Sequence, residues 1–169
     1  MAHSTTLGGN PVQLNGNFPK AGQTAAEFSL VNKDLQDITL ASFGNKRKVL
    51  NIVPSLDTAT CAASERRFNQ VASTLDNAVV ITISADLPFA QSRFCASEGL
   101  SNVVNLSLMR GREFLRNYGV EIASGVLVGL ATRAVIVLDG NNVVRYTELV
   151  SEIKNEPNYD AALAALKAI

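Results

Sequence analysis

Tryptophan is absent from this chain of 169 residues, histidine occurs once and cysteine twice. The one histidine, His3, lies near the start, so neither a catalytic histidine nor a histidine-rich metal site is expected. Two cysteines, Cys61 and Cys95, are too few for a disulfide-rich secreted scaffold. With a single histidine they also cannot complete a four-ligand zinc site. The sequence therefore predicts a fold held by its own core, without a metal or other cofactor.

Neither sign of charge is in excess. The chain has 15 Lys and Arg against 15 Asp and Glu, and charged residues make up 18% of it, below the usual share of about 25%. This balance argues against a nucleic acid or an anionic membrane surface as the partner. Hydrophobic residues reach 47%, a composition that excludes intrinsic disorder as the main state.

Long hydrophobic runs are also missing. Apolar runs such as Ala134–Leu138 are far shorter than the roughly 20 residues of a membrane helix. Met1–Asn10 has no apolar segment of the signal-peptide kind, so we expect a cytoplasmic protein with reduced thiols, with the periplasm as the alternative. No repeat or linker divides the chain, and its length predicts a single domain over residues 1–169.

Strand and helix patterns alternate along the chain. The Gly-, Asn- and Pro-rich stretch Leu7–Gly22 predicts a β-hairpin that leads into a strand at Phe28–Val31. Later patterns predict a strand at Val49–Val53, a helix from Asp57 or Thr58 with Phe68, Val71, Ala72 and Leu75 on one face, a strand at Ala78–Ile83, helices at Pro88–Glu98 and Glu113–Asn117, a hairpin over Ala134–Val150 and a helix over Tyr159–Leu166. Alternation of this kind implies parallel crossovers, and the late hairpin adds an antiparallel edge. The prediction is an α/β fold, a thioredoxin-like mixed sheet flanked by helices with an N-terminal β-hairpin.

Cys61 falls where a predicted strand gives way to a helix. Free backbone N–H groups and the helix dipole stabilise an anion in the first helical turn, so a thiol there is favoured as the nucleophilic thiolate. Thr58, three residues earlier, can cap the helix and place its hydroxyl beside the sulfur. Pro54 lacks an N–H group and can form a wall of the pocket. The alternative is a buried, inert cysteine with Thr58 as a plain cap.

Cys95 is the sole possible disulfide partner of Cys61 within the chain. It lies late in the predicted helix Pro88–Glu98, where a cysteine is usually part of the core. The two Cα atoms of a disulfide must come within about 7 Å, and cysteines on successive helices start farther apart. If the bond forms, it is expected to require local unwinding, and this short helix is the better candidate to yield.

A cation beside Cys61 would stabilise the thiolate further, but spacing alone does not select one. Arg66 and Arg67 follow Cys61 on the same helix and are expected to point into solvent. Arg133 begins a predicted central strand, where a full charge is unexpected. Each arginine is therefore first interpreted as a solvated surface charge.

These motifs resemble those of the peroxiredoxins. The pattern Pro54-x-x-x-Thr58-x-x-Cys61 is similar to the peroxiredoxin active-site motif. The twelve residues Ser84–Cys95 resemble the signature of the bacterial thiol peroxidase subfamily, and the Gly9–Val12 hairpin also fits it. The resemblance covers nearly the whole chain.

The resemblance implies a thioredoxin-like fold and reduction of hydrogen peroxide and alkyl hydroperoxides to water and alcohols. It implies that Cys61 is the peroxidatic cysteine, oxidised to a sulfenic acid, and that Cys95 is the resolving cysteine that bonds to it within one chain. Thr58 and Arg133 would be the catalytic threonine and arginine, with Pro54 in the same motif. It also implies thioredoxin as electron donor and a homodimer.

Two other functions remain as alternatives at this point. One is a thiol–disulfide oxidoreductase acting on protein disulfides, although the chain lacks the CxxC motif that holds two sulfurs ready for exchange. The other is a non-enzymatic binding domain with a thioredoxin-like fold and inert cysteines. The sequence does not identify the preferred peroxide. Apolar residues such as Leu56, Phe89 and Val126 could line a groove for an alkyl chain, but such residues more often belong to the core.

Overall fold

The computed structural model describes residues 3–169, so Met1 and Ala2, the first residues of the predicted 1–169 domain and of the Met1–Asn10 segment, lie outside the described residues. The elements in chain order are β1 (His3–Leu7), β2 (Asn10–Asn15), β3 (Ser29–Val31), β4 (Asp37–Thr39), a 3₁₀ turn (Leu40–Phe43), β5 (Arg47–Ile52), α1 (Ala59–Ala72), β6 (Ala78–Ser84), α2 (Pro88–Glu98), β7 (Val103–Ser107), α3 (Glu113–Asn117), β8 (Glu121–Ile122), β9 (Ala134–Leu138), β10 (Val144–Leu149) and α4 (Tyr159–Lys167).

A mixed sheet of seven strands, in the order β10-β9-β5-β6-β7-β3-β4, forms the centre of the molecule. The three strands β5, β6 and β7 are parallel, and the predicted late hairpin supplies β9 and β10. β9 pairs antiparallel with β5, and the register sets Ala134 opposite Ile52. On the other side of β5, Ile52 lies opposite Ile83 of β6. The carboxyl ends of β5 and β6 therefore meet the amino end of β9 at one edge of the sheet.

Helices cover both faces of this sheet, as the sequence predicts. On one face Phe68 of α1 and Leu166 of α4 pack on Val80 and Val135, with Phe94 of α2 at the margin. On the other face α3 packs with the aromatic residues Phe28, Phe114 and Tyr118 over the strands. No helix within residues 3–169 has the length and apolar character needed to cross a membrane.

The N-terminal hairpin belongs to a second, smaller sheet. β1 and β2 turn at Gly8 and Gly9, whose φ angles of 59° and 84° suit glycine. β8 pairs with β2 as a third strand. The sequence predicts the hairpin but not β8, because a strand of two residues carries no alternation to detect. This sheet packs through Val12, Leu14 and Ile122 onto Ile153, next to the site described below.

Helix α1 ends earlier than the apolar spacing predicts. Its last residue is Ala72, and Leu75 lies in the following turn. Leu75 still packs with the Phe68 cluster. The helical spacing of Leu75 is therefore explained by its packing in the core and not by a longer helix. The chain turns back through Asn77, whose φ of 50° is left-handed.

Candidate active site

Cys61 is the third residue of α1, and its side chain is fully buried. The hydroxyl oxygen of Thr58 accepts a hydrogen bond from the Cys61 backbone N–H at 3.3 Å, which confirms Thr58 as the helix cap. Val53 and Leu56 pack against the sulfur-bearing side chain, with Phe94 of α2 beside them. Cys61 thus lies at the positive end of the α1 dipole, which attracts negative charge. It also lies away from bulk water, so that interactions between charges are screened less there.

Arg133 immediately precedes β9 and is only 2% exposed. Its Nη2 donates to the Cys61 sulfur at 3.1 Å, and its Nε donates to the carbonyl oxygen of Ile153 at 2.8 Å. Its Nη1 is buried and has no hydrogen-bond partner among residues 3–169. The interpretation of Arg133 as a surface charge is therefore wrong. The antiparallel pairing of β9 with β5 brings the start of β9 to the edge of the sheet where the Cys61 segment begins.

The loop before α1 is held by Asp86, which follows β6. Its carboxylate accepts hydrogen bonds from the Ser55 hydroxyl at 2.7 Å, the Leu56 backbone N–H at 2.7 Å and the Ser84 hydroxyl at 2.8 Å. Gln91 of α2 donates to the same Ser84 hydroxyl at 3.0 Å. Asp86 is not among the site residues that the sequence predicts. The parallel pairing of β5 with β6 is the signal that places it beside the Cys61 loop.

A second loop, residues 151–154, holds Arg133 from the other side. Glu152 accepts hydrogen bonds from the backbone N–H groups of Gly8, Gly9 and Lys154. These bonds lower the pKa of Glu152 to about 2. Lys154 in turn accepts a hydrogen bond from Thr60 of α1 at 2.9 Å. The N-terminal hairpin is thereby tied to the loop whose Ile153 carbonyl positions Arg133.

Cys95 lies on α2, half-buried, and both cysteines are free thiols. The Asn105 side-chain amide of β7 donates to the Cys95 sulfur at 2.7 Å. Burial, and then the charge of Glu65, raise the pKa of Cys95 to about 11. Cys95 borders a cavity of about 620 Å³ between α2 and β7. It does not line the groove beside Thr58.

That groove has a volume of about 600 Å³ and runs between the start of α1 and α2, along Thr58, Ala62 and Phe94. Phe94 packs against Cys61 and its neighbours Val53 and Leu56. It also packs against the Phe68 cluster, which Cys95 borders as well. Pro54 is buried two residues after β5. The structure therefore brings Thr58, Arg133 and Cys61 together and keeps Cys95 in a separate environment.

Comparison with known proteins agrees with this geometry. The Redoxin family model matches residues 20–163. A thiol peroxidase from Streptococcus sanguinis is 52% identical over 165 residues, which cover 98% of this chain and 99% of the relative. The chain belongs to the Redoxin family. Within it, the chain belongs to the thiol peroxidases, which are peroxiredoxins. This membership confirms the resemblance drawn from the Ser84–Cys95 signature.

Solved structures show the same peroxiredoxin fold. A peroxiredoxin-like protein from Aquifex aeolicus is 40% identical, with a TM-score of 0.93 over 99% of this chain and 98% of that one. A thiol peroxidase from Chromobacterium violaceum is 28% identical, with a TM-score of 0.90 over 98% and 95% of the two chains. The predicted thioredoxin-like fold is confirmed. The chain is an enzyme of the thiol peroxidase type, which decides against the thiol–disulfide oxidoreductase and the non-enzymatic binding domain.

Proposed function

We propose that this protein reduces hydrogen peroxide and alkyl hydroperoxides through a sulfenic acid at Cys61, which Cys95 converts to an intramolecular disulfide. The observation that carries the proposal is the 3.1 Å contact between Arg133 Nη2 and the Cys61 sulfur at a capped helix start. A buried cation and a helix N-terminus both favour the thiolate over the thiol. The thiolate is the form that attacks peroxide oxygen.

In the first step the Cys61 thiolate attacks the terminal oxygen of the hydroperoxide. A sulfur–oxygen bond forms, the oxygen–oxygen bond breaks, and the released alkoxide or hydroxide takes a proton from water. The product on the protein is a sulfenic acid. Arg133 Nη1, which has no partner in the reduced protein, is the donor available to the peroxide oxygens. Charge that moves onto the departing oxygen is stabilised there and by the Thr58 hydroxyl.

The peroxide reaches Cys61 through the groove beside Thr58. Cys61 has no exposed surface of its own, so Phe94 and the Thr58 side chain must move apart to admit a small oxidant. Thr58 Oγ1 donates to the Ser55 carbonyl at 3.3 Å, a long bond that the hydroxyl can exchange for the substrate. Pro54 has no N–H group to compete for the peroxide, which supports its role as a wall of this pocket.

In the second step Cys95 attacks the sulfur of the sulfenic acid. A disulfide forms, the sulfenic hydroxyl departs, and with the thiol proton it leaves as water. Cys95 must first leave Asn105, and α2 is loosely anchored, since only Pro88 and Gln91 of this helix are buried. This supports the expectation that α2 yields locally. An external dithiol then restores both thiols by exchange, and we propose thioredoxin as that donor.

Thiol-trapping mass spectrometry after peroxide treatment tests this scheme. The wild type is expected to give a peptide pair joined through Cys61 and Cys95. Cys95→Ser is expected to consume one equivalent of peroxide and to accumulate a Cys61 sulfenic acid, whereas Cys61→Ser consumes none. Full turnover of Cys61→Ser with thioredoxin as reductant would refute the proposal, and stable Cys61 oxides without a cross-link in the wild type would remove Cys95 from it.

We propose a homodimer in the cytoplasm. Phe89 and Val126, which the sequence alone favours as core, are 65% and 89% exposed, and Leu87 and Val128 are also more than half exposed. Contiguous apolar patches at a surface mark association sites, and we propose that these side chains form such a patch, which a second copy of the chain covers. Sedimentation of Phe89→Glu should then show a shift to monomer.

The cytoplasm is the compartment we propose, because a cycle that returns to free thiols needs a reducing supply. Cell fractionation can check this.

A further inference from the structure

Glu65 is a buried acid that the scheme above does not use. It lies on α1, one turn after Cys61, and its side chain has no exposed surface. Neither carboxylate oxygen has a partner with hydrogen-bond geometry in the described part of the chain, although Thr82 of β6 and Asn105 of β7 face the carboxylate. A buried carboxylate without partners is costly in its charged form. Burial accordingly raises the pKa of Glu65 to about 7, against 4.5 for an ordinary glutamate.

The charged groups around Glu65 do little to neutralise it. Its neighbours on β6 and β7, Thr82 and Asn105, carry no charge. On α2, Arg93 and Glu98 are exposed, and the ionisable group coupled to Glu65 is Cys95, whose pKa the Glu65 charge helps to raise. On α1 itself Arg66 and Arg67 are exposed and pair with Glu98 of α2 and Asp160 of α4. The charge of Lys33 acts to lower the pKa of Cys95, and Lys33 lines the cavity that Cys95 borders. Within residues 3–169 no lysine or arginine makes a hydrogen bond or an ion pair with the Glu65 carboxylate.

Asn105 connects this acid to the resolving thiol. Its amide nitrogen donates to Cys95 at 2.7 Å, while its amide oxygen is buried without a partner. The cavity of about 620 Å³ separates α2 from β7 next to this contact. Cys95 thus packs at the margin of the Phe68 cluster, while its sulfur makes one polar contact beside an under-satisfied polar pocket.

We propose that Glu65 is a positioning residue for the resolving step: its carboxylate, when ionised in the closed pocket, favours release of Cys95 from Asn105 toward Cys61. The inference rests on the proposed Cys61–Cys95 disulfide. Release opens α2 from β7 and gives the Glu65 carboxylate access to water, so the open form tolerates the charge that the closed form does not. No bond to Glu65 forms or breaks.

The sign of the pH dependence follows from this. Below pH 4.5, the ordinary pKa of a glutamate, the carboxyl is neutral in both forms and the closed pocket has its full stability. Between pH 4.5 and about 7 the open form ionises first, so opening becomes more favourable with rising pH. Above about 7 both forms are ionised and the contribution of Glu65 no longer changes. Resolution should therefore rise through this window and then level off, apart from the titration of Cys95 itself.

Rapid-quench kinetics on Glu65→Gln tests the inference. Reduced protein is mixed with one equivalent of hydrogen peroxide between about pH 5 and pH 8, and Cys61 sulfenic acid and Cys61–Cys95 disulfide are counted by mass spectrometry. Glu65→Gln is expected to lose the rise through the window and to resolve at least about tenfold more slowly near neutral pH, since one pKa unit corresponds to tenfold and the pKa of Glu65 is raised from 4.5 to about 7. Glu113→Gln, exposed on α3, is the matched control and should follow the wild type.

A second readout does not depend on peroxide. Hydrogen-exchange protection factors of α2 amides in the reduced wild type should fall between pH 5 and 7, and those of Glu65→Gln should stay constant. The inference is overturned if Glu65→Gln keeps the wild-type pH profile, or if it resolves faster at every pH, which would mean that the carboxylate only suppresses the Cys95 thiolate. If the wild type forms no disulfide, the proposed function fails, and the exchange data still decide whether Glu65 controls opening.

Discussion

The guanidinium of Arg133 and the sulfur of Cys61 are 72 positions apart in sequence, yet Nη2 and Sγ lie 3.1 Å apart. The contact exists because β9 pairs antiparallel with β5, with Ala134 opposite Ile52. One end of the guanidinium is fixed by the Ile153 carbonyl, and Nη1 remains free of protein partners. The same arginine can therefore contact the Cys61 sulfur and still donate a hydrogen bond to a second acceptor.

Replacing Arg133 with Met should slow reduction of hydrogen peroxide by about tenfold to a hundredfold. The variant loses the hydrogen bond from Nη2 to the Cys61 sulfur, and a hydrogen bond to a charged group contributes about 1.5–3 kcal/mol. Stopped-flow peroxide consumption measures the rate. Arg110→Met, which removes an exposed arginine paired with Asp37, is the control. Unchanged kinetics in Arg133→Met would mean that another group activates Cys61.

Thr58→Val and Thr58→Ser should separate the effect of the Thr58 hydroxyl, which caps the helix, from the effect of its methyl group. Valine cannot accept the bond from the Cys61 N–H, so it should lower the free energy of unfolding by about 1 kcal/mol and slow peroxide reduction. Serine keeps the hydroxyl and should stay near the wild type in both. Urea unfolding and stopped-flow peroxide consumption measure the two effects. Equal rates for Val and Ser would exclude a role for the hydroxyl in the reaction.

The part of the site that the sequence predicts is the part set by local chain order. The helix start at Thr58 and the position of Cys61 in its first turn follow from spacing within one strand–helix junction. Arg133 and Asp86 could not be placed in this way, because each reaches the site through strand pairing, one antiparallel and one parallel.

Glu65 shows a second limit of sequence reasoning. It lies between polar and charged residues in Ser64–Arg67, a stretch typical of a solvated helix face. The structure buries Glu65 and exposes Arg66 and Arg67, because Glu65 lies on the same face of α1 as Cys61 and Phe68, the face that packs inward. Helical spacing alone is compatible with this position, three residues before Phe68. The charged residue type, and not the spacing, is therefore what hides the burial of Glu65 from the sequence.

Asp86→Asn should disorder the loop that leads into α1. The carboxylate accepts three hydrogen bonds from Ser55, Leu56 and Ser84, and the amide of asparagine has one acceptor oxygen for them. We expect a loss of about 2 kcal/mol in the free energy of unfolding and slower peroxide reduction. Asp57→Asn, in the same loop and exposed, is the control for urea unfolding and kinetics. If Asp57→Asn and Asp86→Asn behave alike, the three bonds do not organise the loop.

Glu152→Gln should weaken the hold on Arg133 without a change at Arg133 itself. The pKa of Glu152 is about 2 because backbone N–H groups of Lys154, Gly9 and Gly8 donate to it. A lowered pKa means that the anion stabilises the fold above pH 4.5 and that this contribution is lost as the pH falls toward about 2. Peroxide reduction should be slower in Glu152→Gln, and its acid unfolding less steep over that range than in the wild type. An acid-unfolding profile identical to the wild type would show that Glu152 does not fasten the hairpin to the Ile153 loop.

Substitution of Glu65 should make the whole protein more stable near neutral pH. Because burial raises its pKa from 4.5 to about 7, the folded state has its full stability from this group below pH 4.5 and loses it as the pH rises through 7. A shift of this size corresponds to at most about 3 kcal/mol, so Glu65→Leu should raise the free energy of unfolding at pH 8 by up to that amount and change it little at pH 4. Urea unfolding at both pH values measures this. An equal gain at both would show that leucine only fills space better, and a loss at pH 8 would mean that the carboxylate has partners that stabilise its charge.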